Sequence, residues 1–170
     1  MSVPKLPSSA ARQLEAAEGW LALGNPQEAR QELLSLGTEL KGHPLVLDRW
    51  WEVAAAMKDW DEALRVATDQ LDQFPKDPTG WVHRSYALRR CTHGGLQEAW
   101  DALAPAVARF PKVSIIPYNI ACYASQLGKL SEAWDWLNKA IEAGEDVSAV
   151  KVLALRDEDL RPLWDRVRSL

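Results

Sequence analysis

Four Glu-Ala pairs recur along the chain at a nearly constant interval: Glu28-Ala29, Glu62-Ala63, Glu98-Ala99 and Glu132-Ala133. Successive alanines lie 34, 36 and 34 residues apart. A unit of that length folds as two antiparallel helices and a turn, and it cannot bury its apolar face alone. Stacking is therefore compulsory. The period predicts an all-α, right-handed superhelical solenoid of four helical hairpins. The alanines have their own reason: where two helices of a hairpin cross at roughly 8–10 Å, a methyl group is about all that fits.

Each pair should open a second helix. Asp59 precedes Glu62 by three residues, the arrangement of a capping box. Asn25 and Glu28 repeat it, with Pro26 at the first helical position, where its missing N–H is not needed. Gly95-Glu98 and Lys129-Glu132 keep the glutamate and lose the capping side chain. First helices are predicted within residues 9–23, 44–57, 78–91 and 115–127, and their partners within 26–36, 60–74, 96–110 and 130–143. Phe74-Pro75-Lys76 and Phe110-Pro111-Lys112 end two second helices alike, because a residue before proline is driven out of the α region. Pro105, inside a helix, should kink it.

Over roughly residues 10–145 this pattern resembles the tetratricopeptide repeat family. The family places a small residue at its eighth position, where this chain has Ala17, Trp51, Ser85 and Ala121. The four alanines occupy the twentieth, and Leu33, Ala67, Leu103 and Leu137 the apolar twenty-fourth. Pro75 and Pro111 match the terminal proline, while Lys41 and Glu145 stand there in the other repeats. Trp51 is too large for a close crossing, so the second repeat should be splayed or repacked. The third repeat has two extra residues, expected in the turn Thr92-His93-Gly94-Gly95, which puts Trp81 at the aromatic fourth position and Ser85 at the small eighth.

The organisation expected is a flexible start over residues 1–8, repeats over about 9–43, 44–77, 78–113 and 114–145, and C-terminal capping helices over 146–170. Asp146 can begin one of those helices and Asp157 another, reaching Trp164. A solenoid needs such an element to shield its last apolar surface. The runs Ile120 to Gly128 and Leu153 to Trp164 resemble the closing unit of small bacterial end-of-group tetratricopeptide proteins. In those proteins the unit implies the end of an array and no catalytic activity.

A net charge of −4 argues against a broad phosphate-gripping face, so no nucleic acid is expected as a partner. No apolar run suits a signal-peptide core or approaches the roughly 18 residues that span a bilayer. Cys91 and Cys122 fall in separate repeats and form no disulfide framework, which fits free thiols in a cytoplasmic protein. Cys91 and His93 are two apart, and His43 and His83 are scattered, so no zinc-ligand spacing appears and neither metal nor cofactor is expected.

Nine tryptophans are unusual for 170 residues. A stacking platform for bases or sugars is one reading. Trp20, Trp50, Trp51, Trp81 and Trp100 fall on positions facing neighbouring helices, which favours core packing. Trp134 and Trp136 cannot both face inward, so one should be exposed as a contact point. Asp157-Glu158-Asp159 reads as helix-dipole complementation rather than an acid–base pair.

The family resemblance implies a concave groove lined by the first helices. Carried onto this chain, its contact positions are Asp48, Arg49 and Glu52 in the second repeat. They are His83, Tyr86, Arg89 and Arg90 in the third, and Tyr118, Asn119, Cys122 and Gln126 in the fourth. Arginine and tyrosine suit a protein contact surface. The family's carboxylate clamp is not expected: Asn119 alone fits it, while Leu14, Glu18, Asp48 and Val82 stand where polar or basic groups belong. The expected function is a non-enzymatic scaffold or adaptor, a monomer or weak homodimer, holding a peptide or helix of a protein partner. The alternative is a secretion-type chaperone that sequesters a client protein.

Overall fold

The computed structural model describes residues 5–144 and 146–169. The expected irregular start therefore lies partly outside the described residues, as do Glu145 and the last residue of the expected cap. All regular structure among the described residues is helical. The chain divides into two compact units, one running to Thr92 and the other beginning at His93.

The first unit contains α1 (Ser8–Ala22), α2 (Pro26–Leu34), α3 (Pro44–Ala56), α4 (Trp60–Gln73) and α5 (Pro78–Leu88). These fall within about three residues of the spans predicted from sequence. Helices α1 and α2 pair, α3 and α4 pair, and α5 packs on α4. Asn25 and Asp59 cap as expected, accepting the backbone N–H groups of Glu28 and Glu62 at 3.4 and 3.2 Å. The reciprocal half of the Asp59 box is not made: the Asp59 N–H donates to the carbonyl of Ala54, and Glu62 pairs with Arg65 instead.

Leu14, Ala17, Ala29, Leu33, Val46 and Val53 form one core cluster, with Trp20, Trp50 and Met57 packed against it. Ala54, Ala63 and Ala87 form a second, flanked by Trp51, Trp60 and Leu64. All four alanines of the Glu-Ala pairs have no exposed surface. At Gly80 the approach of α5 to α4 is closer still, since an added Cβ would lie 2.9 Å from the backbone nitrogen of Leu71.

The second unit contains α6 (Leu96–Arg109), α7 (Ile115–Gln126), α8 (Leu130–Ala143), α9 (Val147–Ala154), the 3-10 segment Glu158–Leu163 and α10 (Trp164–Arg168). Arg89 to Gly95 separate α5 from α6, against three residues in the turns after α1, α3 and α7, so the extra residues of the third repeat do lie in that turn. Pro105 sits on an exposed face, and α6 runs past it to Arg109. Helix α7 is buried on nearly every side from Ile116 to Ser125 because α6, α8 and the 3-10 segment all pack on it. The terminal segment does not form one helix from Asp157 to Trp164. Pro162 interrupts it, and the chain takes a 3-10 path before α10. Leu160, Leu163 and Val167 from this segment are almost wholly buried.

Candidate interaction surface

Three elements of the first unit bring an aromatic array together. Trp51 comes from α3, Trp60 from the start of α4, and His83 and Tyr86 from α5. The Trp51 and His83 rings stack face to face, with centroids 3.8 Å apart and planes within 2°. Tyr86 meets Trp51 edge-on at 5.8 Å and leans on Trp60 at 5.9 Å. Arg90, just past α5, lays its guanidinium 3.6 Å from the centre of the Tyr86 ring and 5.2 Å from that of Trp60. A bond from the same group to the Tyr86 carbonyl, 3.1 Å long, holds it there. The bulk of Trp51 is thus accommodated by repacking on His83 and Tyr86.

Beneath the stack, His83 is tied to a polar chain. The Gln70 amide donates to Asp48 at 2.8 Å, which turns its carbonyl toward His83 Nδ1 at 3.1 Å. His83 therefore carries its proton on Nδ1. Burial pushes the imidazole pKa down to about 4, with the charges of Asp48 and Asp77 opposing, so the ring is neutral near pH 7. A neutral imidazole stacks on indole without bringing an unpaired charge into the interior. The Trp51 indole N–H is itself buried with no hydrogen-bond partner among the described residues.

The remaining residues expected in the groove divide sharply. Arg49 pairs with Glu52 and, at 3.0 Å, with Glu18, forming a strut between α3 and α1. Burial raises the Glu52 pKa against the opposing pull of Arg49. Arg89 caps the C-terminus of α5 and is half-buried. In the second unit, Tyr118 and Cys122 are 4% and 3% exposed. Their polar groups point at the chain's own end: the Tyr118 hydroxyl donates to Asp157 Oδ2 at 3.0 Å, and the Cys122 thiol to the same oxygen at 3.5 Å. Gln126 donates to the Asp159 carbonyl at 3.1 Å, and Asn119 is half-buried.

Asp157 caps the 3-10 segment, accepting the Asp159 N–H at 3.0 Å, as its place in the sequence implied. It is also the acceptor for two side chains of α7, which the sequence did not disclose. Cys122, Asp157 and Asp159 converge within 4.8 Å, but the Asp157 carboxylate is already occupied by those three donors. Trp134 and Trp136 are both half-buried, contrary to the expectation that one would stand exposed. Arg166 covers the first at 4.1 Å and Lys139 the second at 3.8 Å.

Two participants in the first unit's array were not evident from the sequence. Trp60 follows the Asp59 cap directly and looks like an ordinary first-turn residue. Gln70 continues the series Ala63, Val66, Ala67, where helical periodicity calls for an apolar side chain. A polar residue in that register was the available clue to a buried polar contact. No protein-family model and no curated protein matches this chain.

Proposed function

We propose that this chain is a non-enzymatic protein-interaction module of the tetratricopeptide kind, a scaffold or adaptor acting in the cytoplasm. Its four hairpins stack as a superhelix whose concave face holds an extended peptide or a helix. The Glu-Ala period and the paired helices of each unit support that architecture. Among the described residues, no helix is long and apolar enough to cross a membrane.

One observation carries the functional reading: Tyr86 and Arg90 form a pre-stacked, half-exposed pair on a half-buried aromatic base. Tyrosine and arginine are the residues that most often anchor protein interfaces. Held by Trp60, Trp51 and a backbone bond, they lose little further freedom when a partner binds. The working contact surface is then Tyr86, Arg89, Arg90 and the edge of His83, all within the first unit. Tyr118 and Cys122 serve the chain's own cap.

The test is affinity capture from lysate of the native host with the wild type, Tyr86→Ser and Arg89→Glu side by side, after confirming equal melting temperatures. A protein retained by the wild type and lost by both variants supports the reading. Equal recovery by all three overturns the placement of the surface.

A further inference from the structure

A cavity of about 280 Å³ opens within the first unit, between α2, α3 and α4. Its floor is apolar and well buried: Leu47 and Val66 are 6% and 2% exposed, and Trp50 forms a wall. Leu34 also lines it and is 51% exposed, a large apolar side chain open to solvent. The volume sits just below the usual range for small-molecule sites, about 300–1,000 Å³. It suits one ring system or a short branched chain.

The charges around this floor are unbalanced. Glu62 and Asp69 line the cavity, but Arg65 already engages them, donating to both Glu62 oxygens at 2.9 and 2.7 Å and to Asp69 at 2.9 Å. Arg30 and Lys41 also line it, are exposed, and make no ion pair or hydrogen bond among the described residues. Arg30 acts on Glu62 through its charge alone, a smaller influence on that carboxyl than Arg65. Two cations without a bonded partner thus stand beside an apolar floor whose acids are satisfied. A carboxylate or similar anion answers that charge, and only an apolar body answers the floor.

We propose that this cavity is a binding site for a small organic anion with a compact apolar body. The body lies on Leu47 and Val66 against Trp50, and the anionic group pairs with Arg30 and Lys41. The site is separate from the Tyr86–Arg90 surface and does not depend on a protein partner.

The probes are 1-naphthoate and its uncharged analogue 1-naphthamide, titrated calorimetrically into the full chain. The naphthoate should saturate with a Kd below about 1 mM, and the amide should bind at least about tenfold more weakly. The indole N–H resonance of Trp50, assigned by its loss in Trp50→Phe, should shift along the naphthoate titration. Arg30→Gln/Lys41→Gln changes two exposed side chains and should erase the preference for the acid while leaving the melting temperature unchanged. Three results would overturn the proposal: no saturation by about 5 mM, an amide as tight as the acid, or shifts that leave Trp50 unmoved. All three are measured on the wild type, so they decide for or against the site even if the double variant folds poorly.

Discussion

Lys58 holds a left-handed backbone, φ 59°, in the middle of the turn between α3 and α4. The turns after α1 and α7 place Gly24 and Gly128 at the equivalent point, with φ 72° and 75°. A lysine there carries strain of roughly 1–2 kcal/mol, whereas glycine adds only its unfolded-state freedom, roughly 0.5–1 kcal/mol. Lys58→Gly should therefore raise stability by about 0.5–1 kcal/mol in urea melts. Gly24→Ala and Gly128→Ala should each lose about 1 kcal/mol through backbone strain alone, because an added Cβ would meet nothing within 4 Å. A less stable Lys58→Gly protein would refute the turn geometry. Nothing about an isolated lysine announces this backbone. Only its spacing of 34 residues from Gly24, the repeat period itself, aligns the two positions.

Helix pairing was largely legible because it depends on spacing and caps, both local. Asn25, Asp59, the proline turns and the Glu-Ala pairs each mark an end or a close crossing without reference to the rest of the chain. What stayed hidden were contacts between elements. Gly80 lies in the first turn of α5, and there Leu71 N and Cα of α4 stand 2.9 and 3.0 Å from the position of a Cβ. Those atoms are backbone and cannot rotate away, so α5 must shift bodily to admit a methyl. Gly80→Ala should destabilise the first unit by about 1–3 kcal/mol, the range for overpacking a close contact. Thermal unfolding of the variant checks this, and an unchanged midpoint would mean that the two helices are further apart. Likewise, the residues expected along one groove proved to have different uses. Arg49 and Glu52 brace α3 to α1, and Tyr118 and Cys122 hold the C-terminal segment. A contact register copied from a family pattern gives the helix face, but it does not say which neighbour already covers that face.

At the scale of the whole molecule, the two units should fail at opposite ends of the pH range. In the first, His83 is held neutral, with its pKa lowered from 6.5 to about 4. Between those values the unfolded chain binds a proton that the folded one refuses, so stability falls as the pH drops below 6.5. The loss amounts to about 3 kcal/mol once the pH reaches the folded value. In the second unit, burial raises the Tyr118 pKa above 10, and the nearby Cys122 and Asp157 push it the same way. Here the folded chain keeps a proton that the unfolded one releases, so stability is intact below pH 10 and declines above it. Hydrogen exchange resolved by segment, run in acid and in alkali, can separate the two responses. Protection should fall first in α3 to α5 on acidification, and first in α7 and the C-terminal segment under alkali. His83→Phe preserves a ring against Trp51 and should flatten the acid limb only. Tyr118→Phe should flatten the alkaline limb only, although the loss of its bond to Asp157 lowers stability at every pH. If acid lowered protection in α7 and the C-terminal segment as early as in α3 to α5, the two units would be unfolding as one, and their separate response to protons would be refuted.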